Sequence, residues 1–201
     1  MSDIVRATAQ HITIVAIAVA AAIVAGVPLG IWCTRHLKAG RAAVRIVDII
    51  QTIPSLALFG FLIPIPFIGG IGPRTAIVAV TLYSLLPIVR NTLLGIRGVD
   101  PNVREAGVAM GMTSRQLLFD VELPLAMPSI VAGIRIATVI AIGLATIAAA
   151  IGGGGLGDLI FRGVAMVNTT LILEGAVPAA LLAIVADVLL TLIERSLTRR
   201  S

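Results

Sequence analysis

"REAGVAMGMTSRQLLFDVELPLAMPS", residues 104–129, lies between two strongly apolar stretches, and its reading decides the fold. It carries Arg104, Glu105, Arg115, Asp120 and Glu122, yet its start and stop signals are those of helix rather than of a solvated loop. Asp100-Pro101 supplies an N-cap followed by proline at the first helical position. Gly111 is placed to end that helix as a left-handed C-cap. Thr113 and Gln116 then form a capping-box pair opening a second short helix, "SRQLLFDVEL", which Pro124 is expected to stop. The stretch predicts two short charged helices, separated by a glycine, set between membrane segments.

The rest of the chain supplies those membrane segments. Of 201 residues, 58% are apolar and only 12% charged, against about 25% charged in soluble domains. Mean hydropathy is +1.09, more apolar surface than a soluble core of this size can hide. The ten prolines and 20 glycines suit membrane helices, where neighbours satisfy the freed backbone groups. Cys33 is the single cysteine, which excludes an internal disulfide and a cysteine-cluster metal site.

A spanning helix needs roughly 20 apolar residues. Five runs qualify, at about 12–34, 46–68, 75–96, 129–151 and 174–193, in one domain over residues 8–196, with a connecting loop at about 97–128. The first run is too long for a signal-peptide core and is expected to be retained. The second is interrupted by Pro54, Pro64 and Pro66, which predicts a kinked or unwound outer half. Arg35, Lys38, Arg41 and Arg45 follow the first run, Arg97, Arg104 and Arg115 the third, and Arg195, Arg199 and Arg200 the fifth. The alternate side holds only Arg6, Arg74 and Arg162. Basic residues collect on the cytoplasmic side, which predicts the N-terminus outside and the C-terminus inside. Their place at the ends of apolar runs, with few aromatics between them, argues against nucleic-acid binding.

The chemistry of catalysis is missing. Lys38 is the only lysine, and no glycine-rich loop precedes it, so the chain has no phosphate loop for ATP. "GGGGLG" at 152–157 matches the spacing of a dinucleotide fingerprint but follows a membrane helix rather than a strand. Its expected role is a turn permitting close helix approach or gating. His11 and His36 sit near opposite ends of the first run and cannot share a metal. Ionisable groups at shallow inner depth, Asp48, Arg90, Arg135 and Asp187, either snorkel to the interface or pair, with Arg135 and Asp187 matched in depth. Gln51, Thr52, Ser55, Tyr83 and Asn91, with the Pro54 break, are polar positions in apolar helices. They either line a solute path or bond neighbouring helices.

The opening stretch resembles the EAA signature of ABC-importer permeases: Glu-Ala-Ala, three residues, Gly, nine residues, Ile, one residue, Leu-Pro. Here these are Glu105, Ala106, Gly107, Gly111, Val121, Leu123 and Pro124, with Gly107 and Val121 as mild departures. "QTIPSLALFGFLIP" at 51–64, "LYSLLPIVRNTLLGI" at 82–96, "IAAAIGGGGLGDLI" at 147–160 and "GAVPAALLAIVAD" at 175–187 resemble the osmoprotectant branch, which carries glycine betaine, carnitine and choline. The resemblance implies an all-α, methionine-importer-like permease fold in a bacterial or archaeal cytoplasmic membrane. It further implies a second permease chain, cytoplasmic ABC ATPase subunits that bind ATP and magnesium, and an external substrate-binding protein. By the same resemblance residues 101–111 dock on the ATPase, with Gly107 and Gly111 allowing close approach and Glu105 free to pair or cap. A methionine or other small-solute permease is the alternative within the class, and a secondary carrier the alternative outside it. The internal repeat typical of carriers is not evident in the sequence. Quaternary ammonium groups are held by aromatic cages. One Trp, one Tyr and five Phe therefore place selectivity in the binding protein.

Overall fold

Apolar runs punctuated by proline, glycine and charge fold here as a series of helices. The computed structural model describes residues 2–198, apart from the side chains of Ser2 and Leu37. Arg199 and Arg200 lie outside the described residues. The order is α1 (Ser2–Arg35), α2 (Leu37–Thr52), α3 (Ser55–Leu62), α4 (Pro73–Arg97), α5 (Pro101–Ala109), α6 (Ser114–Gln116), α7 (Leu123–Ile147), α8 (Leu156–Ala165) and α9 (Thr169–Thr198). A π-helical turn, Leu117–Glu122, joins α6 to α7, and a 3-10 turn, Ala148–Ile151, follows α7.

Among the described residues, four helical stretches are long and apolar enough to span a bilayer: Asp3–Arg35, Pro73–Arg97, Ser114–Ile151 and Thr169–Thr198. The fifth expected span is broken. Lys38–Thr52 and Ser55–Leu62 meet at a bend of 101° at Pro54, the residue expected to interrupt it. The proline ring fixes its own φ and pushes Ile53 into an extended conformation (φ −69°, ψ 127°), so the helix cannot continue.

The fourth span departs from expectation. Pro124 does not stop a short helix, and the span does not begin at 129; one helical stretch runs from Ser114 to Ile151. Proline in a helix clashes with the carbonyl four residues earlier. The π turn widens the helix just before Pro124, and the Leu123 N–H reaches back five residues to the Leu118 carbonyl. The extra residue in that turn accommodates the ring, and the charged insert is continuous with the span. A second departure is α8, an amphipathic helix where only a turn and connection were expected. It buries Leu156 and Leu159 against α9 and the start of α1.

α4 is the central helix, packed on α1 along one side and α7 along the other. The seams are lined by small residues, Ala18, Ala76, Ala79, Ala141 and Ala145, around Ile14, Phe59 and Val80. In lipid no hydrophobic effect draws helices together, so close backbone approach and dispersion carry the packing. Gly133 shows how close: a Cβ there would lie 2.6 Å from the Asn91 Cβ and 2.7 Å from the Pro87 carbonyl oxygen of α4. Gly143, nearly three turns along the same helix, has nothing within 4 Å. Gly133→Ala is expected to destabilise the detergent-solubilised protein by about 1–3 kcal/mol, the usual cost of overpacking. Gly143→Ala should be neutral or stabilising by up to about 1 kcal/mol, from helix propensity alone. Thermal midpoints of the two variants check the contrast, and equal midpoints would show that the α4–α7 seam has slack.

Candidate functional site

Two places gather the chemistry. The first is α5 at the end of the bundle where α1 and α4 finish. Asp100 caps it, its carboxylate accepting the Asn102 N–H at 2.8 Å, with Pro101 in the first turn. At the other end the Met112 N–H bonds the Gly107 carbonyl and the Gly111 N–H bonds the Val108 carbonyl, at 3.1 and 2.9 Å. This paired closure needs a left-handed residue after the cap, and Gly111 supplies it with φ +80°. The next helix opens on the expected capping box: Thr113 N–H donates to Gln116 Oε1 at 2.9 Å, and Gln116 N–H to Thr113 Oγ1 at 3.3 Å. Both ends of α5 are closed by the chain itself, so the helix stands without a partner.

Its faces divide cleanly. Gly107 points inward, where a Cβ would lie 2.7 Å from Leu117 Cδ1; the close approach it allows is to this chain. Glu105, Ala106 and Gly111 are exposed, and no atom crowds the Gly111 position. Val108 is 61% exposed and Met110 74%, an apolar patch at a charged end, the pattern of a docking surface. Leu123 is half-buried and Pro124 exposed in the first turn of α7, so these two motif residues shape the helix rather than the patch.

Beneath α5 lies a group missed in the sequence. Glu122, the last residue of the π turn, is 2% exposed. Arg35, at the end of α1, donates to its Oε2. Arg104 of α5 brings Nε to 3.2 Å from Oε1 and donates through Nη2 to the Ile96 carbonyl near the end of α4. A signal was present: Glu122, Ala126 and Ile130 follow one another at i+4 spacing, and all three are buried. A carboxylate on a buried stripe requires a cation nearby.

The second place is the bend. Gln51, Thr52, Pro54, Ser55 and Tyr83 line one cavity of about 360 Å³, with Ile140 and Leu144 of α7 on its far wall. The Tyr83 hydroxyl donates to the Ile53 carbonyl, which the broken helix leaves without its usual partner. Gln51 Nε2 donates back to the Tyr83 carbonyl at 2.8 Å, so the bend and α4 are laced in both directions. Asn91 is not part of this cavity. Its Nδ2 bonds the Pro87 carbonyl at 2.8 Å and its backbone oxygen accepts from Ser129 Oγ at 3.1 Å, in the α4–α7 seam. The shallow ionisable groups pair: Arg90 with Asp48 at 2.8 Å, and Arg135 with Asp187 at 3.1 Å and Glu194 at 3.2 Å. The described residues hold no cluster of three potential metal ligands. Gly152, Gly154 and Gly155 are left-handed in the turn before α8, held where the Gly155 N–H donates to Gln10 Oε1 at 3.2 Å, and Gly157 lies within α8.

Residues 26–200 match the family described as "Binding-protein-dependent transport system inner membrane component". The chain belongs to that family. It is 50% identical to the choline transport system permease protein OpuBB of Bacillus subtilis, covering 98% of this chain and 89% of that protein. It is 46% identical to the glycine betaine/carnitine/choline transport system permease protein OpuCB of the same organism, with the same two coverages. Among solved structures it superposes on the MetNI methionine ABC transporter in an inward-facing form with a TM-score of 0.89, at 25% identity over 98% of this chain and 97% of that one. The methionine-importer-like fold expected from the sequence is therefore the fold observed.

Tyr83→Phe removes the donor that satisfies Ile53 while leaving the ring in place. The variant is expected to lose about 1–3 kcal/mol of stability, the cost of an orphaned carbonyl. A thermal midpoint equal to that of the parent would show that the bend does not depend on this bond.

Proposed function

We propose that this chain is the membrane-spanning subunit of an ATP-driven importer for an osmoprotectant such as glycine betaine, carnitine or choline. The observation that carries the reading is α5, a helix closed at both ends, tied to the bundle from below, and offering Val108 and Met110 outward. A chain without a phosphate loop must receive the energy of ATP mechanically. A self-capped helix passes on a displacement that a loop would absorb. The partner on that patch is an ABC ATPase, which binds ATP and magnesium and hydrolyses it. A second permease chain completes the path, and an external binding protein delivers solute.

The bend cavity is the proposed path, with Gln51, Thr52, Pro54, Ser55 and Tyr83 as its polar lining and Asn91 outside it. Clefts of about 300–1,000 Å³ suit small solutes. Tyr83, the one tyrosine, has its hydroxyl engaged, and Trp32 stacks on His36 at 4.8 Å near the end of α1. Neither is arranged as a cage for a quaternary ammonium group, which supports selectivity residing in the binding protein. Identity to the choline permease is 50% and to the methionine transporter 25%, which favours the osmoprotectant over methionine. Basic residues at the α5 end support that end as cytoplasmic, with the N-terminus outside.

Reconstitution of the chain in liposomes with its ATPase and binding protein tests this reading. Glycine betaine, choline or carnitine should stimulate ATP hydrolysis and accumulate inside. Gly111→Asp, which puts a side chain and charge on an open left-handed position, should leave the permease inserted but remove ATPase co-purification or stimulation. Uptake without any ATPase would instead favour a carrier, and full stimulation by Gly111→Asp would remove α5 as the contact.

A further inference from the structure

The buried carboxylate beneath α5 has a geometry that packing alone does not require. Glu122 is matched by two guanidinium groups, one from α1 and one from α5, and the second of these also holds the end of α4. Through two arginines, the carboxylate at the start of α7 is thus linked to the ends of α1 and α4 and to the exposed helix. A buried ion pair of this kind contributes little net stability compared with apolar residues of the same volume. It does fix geometry, because each carboxylate oxygen faces a different guanidinium, Oε2 that of Arg35 and Oε1 that of Arg104.

We propose that Glu122 is the positioning residue through which movement of α5 reaches the spanning helices, with Arg104 as the link from α5 and Arg35 as the link to α1. The proposal rests on the reading of α5 as the ATPase contact. Apart from this cluster, α5 is joined to the bundle by the short backbone links at its two ends and by the close seating of Gly107 against Leu117. Arg104 adds a side-chain tie that fixes the angle of α5 on those links. Its guanidinium is attracted both to Glu122 and to the carbonyl end of α4, where the helix dipole is negative. When α5 is drawn outward, the ends of α4 and α7 follow it. Glu122 also closes a π turn, where the helical ladder is wider and the backbone can absorb a change of angle without losing all its bonds.

The experiment uses the complete reconstituted complex and reads solute taken up per ATP hydrolysed. A merely structural role would lower the amount of inserted complex and leave that ratio unchanged in the complexes that form. Glu122→Gln keeps the shape and removes the charge; its complexes should still hold the ATPase on the intact outer patch, while the ratio falls about tenfold, within the range typical of coupling between sites. Arg104→Gln should do the same, and the double variant should be no worse than either single one, since both remove one contact. An unchanged ratio in Glu122→Gln, or additive losses in the double variant, overturns the proposal. Should Glu122→Gln fail to insert, Arg35→Gln decides on its half-exposed side chain, with a lowered ratio supporting the proposal and a parental ratio overturning it. Gly111→Asp separates the two readings. If it uncouples while the Glu122 and Arg104 variants do not, the α5 contact stands and this proposal falls; if it too is silent, both fall.

Discussion

A carboxylate 2% exposed cannot remain charged at the edge of a membrane protein without cations against it, and the arrangement of one whole end of the bundle follows from that requirement. Arg35 must finish α1 where its guanidinium reaches Glu122. α5 must lie across the ends of α4 and α7 so that Arg104 reaches both the carboxylate and the Ile96 carbonyl. The π turn places Glu122 on the inner side of its helix while accommodating Pro124. Glycine at 107 lets α5 settle against Leu117. Substitution of any one of these residues leaves a buried charge, an uncapped carbonyl or a clash.

The other end of the account is set by lipid, which offers no hydrogen bonds to a broken helix. A 101° bend in a spanning segment is stable only where the freed backbone groups find partners inside the protein. Tyr83 and Gln51 provide that exchange between the bend and α4, and the cavity beside them is the space the bend opens. The two features share α4. Its middle holds the bend and its end is held by Arg104, so a displacement at α5 has a continuous helical route to the cavity.

Much of this was legible in the sequence, for local reasons. The start and stop of α5 depend on residues within a few positions of each other, so Asp100, Pro101, Gly111 and the Thr113–Gln116 pair could be read directly. Proline at 54 announced the break, and charges at matched depth led to Arg135 and Asp187. What failed depended on distant partners or on an uncommon helix. Pro124 looked like a stop because the rule for proline assumes an α-helical turn before it, not a π turn. Asn91 could not be separated from the bend residues, because polarity alone does not distinguish a cavity wall from a helix seam, and it lies in the seam. Glu122 looked like one more surface charge, because its partners come from Arg35 and Arg104, 87 and 18 positions away. α8 was hidden by the glycines before it, which read as an unstructured turn.

The central claim is that α5 and the adjoining ends of α4 and α7 move as one body. Spin labels at Val108 on α5 and Leu125 in the first turn of α7, both at exposed positions, report the distance between them directly by pulsed electron resonance. In the reconstituted complex the account predicts the same narrow distance distribution with and without bound ATP, and a broadened one in Glu122→Gln. A distance in the parent complex that shifts when ATP binds would mean that α5 moves independently of the helices it is held to, and would contradict the account.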